Sequence, residues 1–414
     1  MRSLSCIEPG TGLSSKHGDN EWPTATRRAS SRPKFPAARL QSFGDDGMTL
    51  RHVVVVGAGV AGLACALACA RSGARVEVLE ARSDPGHVPA HIDLVPSLLR
   101  DLARLGVAEA CVQRGFAYSG VAVVDEHGDE AFHVPTQRLA GHQLPPAAGI
   151  ALDELLDVLA TAAAQSGATL HRGWTVRAVE ADRGRVLGDS GQVFDADMVV
   201  LAAGAESPLV TSLFGTVQPG AARHAWWHAL VPRPAWLDRA TWMAGSVGRR
   251  LFLVPVGIAR AGVAVVGAAP PEDPADGGAL ARVLQTWGAL PRRVAALIEP
   301  SAPTAVRLVT SALREAPWYR GAVLCVGAAA HAVAPPFGQS AAQALEDAVV
   351  IGELLRGDHG PAVLLQRYSE RRVARARRLH ELTERAARWV ARPEPATDLL
   401  QLAGEIDALV AQPA

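Results

Sequence analysis

The chain has 414 residues, with 41 basic and 41 acidic side chains and 49% hydrophobic residues. This length is sufficient for two or three domains around a large core. The balanced charge argues against binding nucleic acid or an anionic membrane through net charge, and no stretch of about 18 residues is apolar enough to predict a membrane span. The five cysteines form no CxxC pair, which indicates reduced thiols and a cytoplasmic protein without a metal site.

The first 47 residues differ in composition from the rest of the chain. They are rich in Ser, Pro, Arg and Gly and show no apolar periodicity. Such a segment cannot bury enough apolar surface to offset the entropy that it loses on ordering. We therefore expect residues 1–47 to form a disordered N-terminal extension, with the folded part beginning near Met48.

The strongest motif lies at residues 51–82, RHVVVVGAGVAGLACALACARSGARVEVLEAR. Its run of four valines predicts a strand buried on both faces, and a GxGxxG motif, an Ala-rich helix and a second strand follow. Glu80 ends the second strand about 20 residues after the glycines, where its carboxylate can reach a ribose hydroxyl of a dinucleotide. The helix N-terminus would then face the pyrophosphate. The residues expected at the cofactor are Gly57, Gly59, Val60, Ala61, Gly62, Glu80, Ala81 and Arg82.

A second glycine-bearing segment, VGAAAHAVAPPFGQSAAQALEDA, lies far downstream at residues 326–348. It predicts a short apolar strand, a loop that contains Pro336 and Gly338, and a helix that begins near Ser340. Because the chain has one dinucleotide fingerprint, a ligand that touches both segments is better matched by FAD than by NAD. We expect the loop to approach the reactive edge of the flavin, with Pro336 as a candidate catalytic residue, and we expect His331 to hydrogen-bond the backbone.

With these motifs the sequence resembles the single-component, class A FAD-dependent aromatic hydroxylases, the p-hydroxybenzoate and salicylate hydroxylase family. The resemblance extends from about residue 51 to about residue 375. Besides the first fingerprint it includes HIDLVPSLLRDLARLGV (91–107), DADMVVLAAGAESPLV (195–210), the late segment (321–355) and LQRYSERRVARAR (365–377). It adds these residues to the expected cofactor site: Gly204, Ala328, Gly338, Gln339, Ser340 and Ala341.

The sequence departs from the family pattern at positions that bind polar groups of the cofactor. The aspartate of the middle motif is replaced by Ala203, and the aspartate that holds a ribityl hydroxyl in the family is replaced by Ala328. The arginine expected before the helix at 153–165 falls near Leu152, and the second glycine of Gly-Gln-Gly is Ser340. We therefore expect a loop that is still shaped for a flavin but holds it with fewer polar contacts.

The resemblance implies an α/β fold in which a glutathione-reductase-like, Rossmann-type FAD-binding domain carries an inserted antiparallel β-sheet and C-terminal helices. We expect the discontinuous FAD-binding domain at residues 48–118, 149–216 and 305–360. The remaining segments are the substrate domain at 119–148 and 217–304 and the C-terminal helices at 361–414.

Between the two cofactor segments the pattern changes to the alternation typical of antiparallel strands. The segment SGVAVVDEHGDEAFHVP predicts a hairpin, and residues 223–270 predict three or four strands. Alternation would place Trp226 on the same face as His224 and His228, with Trp227 on the other face. These two histidines are our candidates for handling a phenolic proton, although such side chains also occur in ordinary sheet cores.

The resemblance implies an FAD-dependent monooxygenase in which NADH or NADPH binds transiently and reduces the flavin. O2 would then form a flavin C4a-hydroperoxide that hydroxylates or epoxidises a small aromatic substrate. A monomer or homodimer is expected, with no nucleic acid partner. Because polar contacts to FAD are missing, one alternative stays open. In that alternative the flavoprotein fold binds FAD weakly or not at all and acts as a cyclase, an isomerase or a binding protein.

Overall fold

A computed structural model of the chain describes residues 51–84, 86–217, 220, 223–245, 248–267, 277–333, 338–357, 359–391 and 398–414. The extension expected at 1–47 lies outside these residues, and so does Pro336. The helices of the described part are α1 (Val60–Arg71), α2 (Pro96–Arg104), α3 (Ala108–Arg114), α4 (Leu152–Gln165), α5 (Pro208–Phe214), α6 (Gly277–Gln285), α7 (Ala289–Ala295), α8 (Gln339–Leu355), α9 (Pro361–Ala391) and α10 (Leu399–Ala411).

The strands of the described part follow the same numbering along the chain. They are β1 (His52–Val56), β2 (Arg75–Glu80), β3 (His91–Leu94), β4 (Phe116–Tyr118), β5 (Val121–Val124), β6 (Glu130–Val134), β7 (Ala147–Ala151), β8 (Ala168–Arg172), β9 (Val176–Glu180), β10 (Arg185–Gly188), β11 (Val193–Asp195), β12 (Met198–Leu201), β13 (Arg223–Pro232), β14 (Ala240–Ala244), β15 (Arg250–Pro255), β16 (Arg260–Val266), β17 (Thr304–Thr310), β18 (Ala312–Leu313), β19 (Tyr319–Arg320), β20 (Val323–Cys325) and β21 (His331–Ala332).

A six-stranded sheet with the strand order β19-β20-β12-β1-β2-β8 runs through the largest core. β1 pairs in parallel with β2 and β12, β12 pairs in parallel with β20, and β2 with β8. The valines of β1 are fully or almost fully buried, as the sequence predicts. Helix α1 packs against α4 and α8. The two glycine-bearing segments therefore lead into helices that contact each other.

A seven-stranded sheet with the order β17-β13-β16-β15-β14-β5-β6 forms the second core. β13, β16, β15 and β14 are antiparallel neighbours, and the predicted hairpin β5–β6 joins them through a parallel pairing of β5 with β14. The hairpin turn is held by Asp125, whose Oδ1 accepts the N–H groups of His127, Gly128 and Asp129. One face of the sheet packs on α6 and α7, and Trp227 is buried there.

One expected boundary is wrong in this sheet. The sequence pattern places residues 305–360 in the FAD-binding domain, but β17 pairs with β13 at the edge of the seven-stranded sheet. The error has a physical cause, because an apolar strand does not reveal its partner by its own periodicity. The partner of β17 lies about 80 residues earlier in the chain, and a pairing over such a separation leaves no local signal.

A third, small sheet connects the two larger ones. Its order is β3-β7-β4, and all pairings are antiparallel. Gly149 of β7 lies against β15, because a Cβ built on this residue would be 2.2 Å from the carbonyl oxygen of Pro255. Tyr118, Ala147 and Val254 belong to one apolar cluster between the sheets. The small sheet thus packs on the face of the seven-stranded sheet that α6 and α7 leave uncovered.

Arginine side chains hold the last helix, α10, to α2 and α9. Arg100 of α2 donates to the carbonyl oxygen of Val410 at 2.7 Å, and Arg375 of α9 donates to that of Leu409 at 2.8 Å. These guanidinium groups satisfy carbonyl groups at the end of α10, which have no partner within their own helix. Within the described ranges, no helix is both long and apolar enough to cross a membrane.

Candidate functional site

The turn between β1 and α1 brings backbone segments into close contact. Gly57 has a φ of +103°, in the left-handed region that favours glycine. A Cβ built on Gly57 would lie 2.7 Å from the carbonyl oxygen of Ala202. A Cβ on Gly62 would lie 1.9 Å from the carbonyl oxygen of Gly57. Both glycines are therefore required by the packing of the turn itself.

Gly59 differs from these two glycines because its open side meets no described atom. A Cβ built there has no neighbour within 4 Å, and its φ of −76° is ordinary for any residue. Gly59 is the N-cap of α1, and no side chain caps this helix end. Backbone N–H groups at a helix N-terminus bind phosphate. The space beside Gly59, Val60 and Ala61 therefore fits a pyrophosphate.

Glu80 connects the end of β2 to the glycine turn. Its carboxylate accepts the N–H of Ala58 at 2.8 Å and the N–H of Arg82 at 3.1 Å. The guanidinium Nε of Arg82 approaches the same carboxylate at 3.5 Å. Ala81 and Arg82 are exposed at the edge of this turn. The carboxylate has acceptor capacity beyond these contacts, and its binding of a ribose hydroxyl stays a prediction.

Most predicted residues of the late segment are exposed or partly exposed where β20 leads towards α8, whereas Gln339 is buried. Ala328 is exposed within a single helical turn at Gly327–Ala329. Gly338 has a φ of +64° and is the N-cap of α8, which begins at Gln339. Ser340 is exposed in the first turn of α8. The remaining predicted cofactor residues, Gly204 and Ala341, are partly exposed.

A buried carboxylate supports the late segment, although the sequence does not predict this role. Asp347 of α8 accepts the N–H of Gly327 at 2.7 Å and contacts His331 Nε2 at 2.7 Å. Arg372 of α9 donates to its other oxygen at 2.7 Å. Burial raises the pKa of Asp347, but His331 and Arg372 outweigh burial and lower it. The prediction that His331 hydrogen-bonds the backbone is thus wrong, because its Nε2 contacts the carboxylate of Asp347. The only sequence signal of Asp347 is its charge within a mostly apolar helix.

The uncovered face of the seven-stranded sheet carries a row of aromatic side chains. Trp226 of β13 stacks on Phe252 of β15 with ring centroids 5.1 Å apart, and Phe252 meets Trp242 of β14 at 5.7 Å. We call this row the aromatic face. His228 stacks beside Trp226 at 6.1 Å and shares its face, as strand alternation predicts. The side chain of His224 lies outside the described part of the structure.

The small sheet meets the aromatic face along a line of polar side chains, which we call the polar seam: His91, Asp93, Tyr118 and His228. The Tyr118 hydroxyl donates a hydrogen bond to the Asp93 carboxylate. The rings of His91 and His228 meet edge to face at 5.9 Å. A Cβ on Gly262 would lie 2.2 Å from the His91 ring, so this glycine leaves room for the histidine. Both Nδ1 atoms are buried, and neither has a hydrogen-bond partner among the described residues.

Burial keeps both histidines of the polar seam neutral near pH 7. It lowers the pKa of His91 to about 4. The pKa of His228 falls to about 3 because of burial and, to a smaller extent, because of His91 and Arg307. Burial raises the pKa of Asp93 to about 6, although the hydrogen bond from Tyr118 opposes this shift. The polar seam therefore contains two neutral imidazoles and one carboxyl group that can exchange a proton near neutral pH.

The polar seam reaches the late segment. A Cβ built on Gly338 would lie 3.9 Å from the Cβ of Asp93 and 2.9 Å from Val95 Cγ1. Arg307 adds a cation to the same region, because it is the register partner of Trp226 and shares its face. Burial and the nearby Arg82 lower the pKa of Arg307. The late segment, the polar seam and the aromatic face thus line one continuous region.

Comparison with known proteins identifies the family of this chain. The family described as FAD binding domain matches residues 51–383. The chain belongs to this family. An FAD-dependent urate hydroxylase of Klebsiella oxytoca is 27% identical over 349 residues, which cover 79% of this chain and 87% of the relative. A 3-hydroxybenzoate 6-hydroxylase of Klebsiella oxytoca is 28% identical over 346 residues, which cover 79% and 86%.

Two solved structures have the same fold. Klebsiella pneumoniae HpxO in complex with FAD and uric acid matches with a TM-score of 0.73 and 23% identity, over 87% of this chain and 93% of that one. The oxygenase of 2-methyl-3-hydroxypyridine-5-carboxylic acid matches with a TM-score of 0.73 and 20% identity, over 87% and 96%. The α/β fold and the resemblance to class A FAD-dependent hydroxylases are confirmed.

The comparisons together support one of the two functional interpretations of the sequence. The protein is an FAD-dependent monooxygenase, its cofactor is FAD, and NAD(P)H is the reductant typical of the family. The alternative of a non-redox enzyme or binding protein is not favoured. The geometry fits FAD, because the open side of Gly59 accommodates the pyrophosphate and the glycine turn holds Glu80 beside it. The assignment of individual residues to FAD atoms stays a prediction.

Proposed function

We propose that the protein hydroxylates a flat aromatic or heteroaromatic substrate, using FAD, NADH or NADPH, and O2. The observation that carries this proposal is the aromatic face, where Trp226, Phe252 and Trp242 follow one another across three strands. Aromatic rings prefer offset or edge-on contacts with other rings, so this face suits a flat substrate. Two relatives are named as a urate hydroxylase and a 3-hydroxybenzoate 6-hydroxylase, and both names denote ring substrates.

In the proposed mechanism FAD, when bound, carries electrons from the nicotinamide reductant to O2. The glycine turn and the N-terminus of α1 would hold its pyrophosphate, Glu80 would hold its ribose, and Ala328 and Gly338 would contact its flavin half. The aromatic face orients the substrate and excludes water from it. His228 contacts polar atoms of the substrate. The roles expected for His224 and Pro336 stay predictions, because the side chain of His224 and the whole of Pro336 lie outside the described residues.

The positive charge on Arg307 extends the proposal to the substituents of the ring. Arg307 shares the face of Trp226 and lies on an edge strand. A guanidinium group binds carboxylates with paired hydrogen bonds. We therefore expect ring substrates with an acidic substituent to bind more tightly than their uncharged analogues.

The proposed division into domains follows the sheets. The FAD-binding domain takes residues 48–118, 149–216 and the later part of 305–360. The substrate domain takes 119–148 and 217–304, extended by β17. This extension is supported by the pairing of β17 with β13. A cytoplasmic monomer or homodimer completes the proposal.

The experiment is a test for substrate-stimulated oxidation of the reductant. The protein is loaded with FAD, and NADH or NADPH oxidation is followed at a fixed O2 concentration with a panel of hydroxybenzoates, hydroxypyridines and purines. A substrate is expected to accelerate oxidation and to yield a hydroxylated product. Oxidation that no panel member accelerates would contradict the proposal. Cyclohexane carboxylate, which has no aromatic ring, is the control compound.

A further inference from the structure

The polar seam contains a carboxyl group, that of Asp93, with no cationic partner among the described residues. Asp93 lies between two sheets and accepts one hydrogen bond from a described residue, the hydroxyl of Tyr118. A tyrosine hydroxyl in this position needs only a neutral acceptor, which an amide or a backbone carbonyl would provide. Burying a carboxyl group is costly unless it is paired with a charge. The presence of an acid at this position therefore calls for a further partner.

The strand pairings direct this carboxyl group towards the aromatic face. Asp93 pairs with Gly149 of β7, and Tyr118 pairs with Ala147, so both side chains emerge on one face of the small sheet. The same face carries His91, whose ring meets His228 of the seven-stranded sheet. On its other side Asp93 lies close to Gly338, at the start of α8. Asp93 thus stands between the cofactor segment and the aromatic face.

We propose that Asp93 is the base that removes the ring hydroxyl or ring N–H proton of the substrate, with Tyr118 holding its carboxylate in place. This inference rests on the proposed aromatic hydroxylation. The O–H or N–H bond of the substrate breaks, and a new O–H bond forms on the carboxylate oxygen of Asp93 that Tyr118 does not occupy. The electron pair stays on the substrate and enriches its ring. The proton returns to the product oxygen or nitrogen after hydroxylation.

The surroundings of Asp93 support a proton transfer near neutral pH. Tyr118 faces it from β4 and His91 from its own strand, with His228 beyond His91 on β13. On the other side β7 presents Gly149 and α8 begins without a charged side chain. Burial raises the pKa of Asp93 to about 6, and a general base is most effective when its pKa is close to the working pH. The neutral histidines do not compete for the proton, because burial has lowered their pKa values.

The test uses 4-nitrophenol, whose phenolate absorbs visible light, with the FAD-loaded full-length protein. The apparent pKa of the bound phenol is measured by absorbance titration for wild type, Asp93→Asn, Tyr118→Phe and the control Asp195→Asn. Asp195 pairs with Arg185 on an exposed hairpin of another sheet. We expect wild type and the control to show the same displaced apparent pKa for the bound phenol, at least about one unit from its value in water, because the phenol and Asp93 share one proton. Asp93→Asn is expected to lose this displacement. Tyr118→Phe should lose part of it.

Two further readouts separate this inference from the proposed function. The Kd for FAD is expected to be equal in wild type and Asp93→Asn, because the carboxyl group serves the substrate and not the cofactor. The rising limb of the pH profile of kcat/KM, measured with any panel substrate, should disappear in Asp93→Asn. An unperturbed phenol in wild type, or equal titration curves in wild type and Asp93→Asn, would overturn the inference. Failure of FAD binding in wild type would instead overturn the proposed function.

Discussion

Replacing Gly59 by valine tests whether the glycine turn between β1 and α1 binds FAD, and it does so without disturbing the fold. A Cβ at this position has no neighbour within 4 Å, and the backbone φ of −76° is allowed for every residue. Valine is less favourable than glycine at a helix N-cap, by about 1 kcal/mol or less. The variant is therefore expected to fold, with an apo-protein melting temperature within a few degrees of wild type.

The effect on FAD should be far larger. The valine side chain fills the space in which the pyrophosphate must approach the N–H groups of Val60 and Ala61. A hydrogen bond to a charged group contributes about 1.5–3 kcal/mol. Loss of two such bonds weakens binding by roughly 3–6 kcal/mol, which is about a hundredfold to ten-thousandfold in Kd.

The assay is a fluorescence titration of apo-protein with FAD, beside thermal unfolding of the same samples. Gly404→Ala is the control. A Cβ built on Gly404 also has no neighbour within 4 Å, but this glycine lies in α10 and not at the glycine turn. The control should bind FAD as wild type does. If Gly59→Val binds FAD with the wild-type Kd, the pyrophosphate does not lie at this turn and the reasoning fails.

Two other predictions concern the late segment and the polar seam. Ala328→Asp should lower the Kd for FAD by about tenfold or more, as one charge-assisted hydrogen bond implies; an unchanged Kd by the same titration would show that Ala328 does not face the ribityl chain. Between pH 7 and pH 5 the protein should lose stability, because the unfolded chain binds more protons at His91 and His228, whose folded pKa values are about 4 and 3. Each histidine removes roughly 2 kcal/mol at pH 5, and Asp93, with its pKa raised to about 6, returns roughly 1 kcal/mol. Measured by urea unfolding, His228→Gln should lose about 2 kcal/mol less of its free energy of unfolding between pH 7 and pH 5 than wild type does. An equal loss in both proteins would contradict a neutral His228 in the folded state.

The glycine turn and Glu80 could be predicted because the residues that form this site lie close together in the sequence. The glycines, the buried strand and Glu80 lie within about 30 residues, and their spacing alone places them around one turn. The alternation along β13 could be predicted for the same reason, since neighbouring residues of a strand face opposite sides. In each case the periodicity of a short segment determines where its side chains point.

The polar seam could not be predicted in this way. His91 and Asp93 belong to β3, Tyr118 to β4 and His228 to β13, and the packing of two sheets brings them together. Each of these strands has several possible partners, so its own pattern does not reveal which residues it will meet. The same limit explains why the contact of Asp347 with Arg372, on a different helix, could not be predicted.

The fate of molecular oxygen is the decisive measurement for aromatic hydroxylation by this chain. FAD-loaded protein is supplied with NADPH, a panel of aromatic and heteroaromatic compounds and oxygen-18 gas, and the products are analysed by mass spectrometry. We predict that an aromatic panel member accelerates NADPH oxidation and gains one oxygen-18 atom per product molecule. Products that carry no oxygen-18, together with NADPH oxidation that every panel member leaves unchanged, would contradict this prediction.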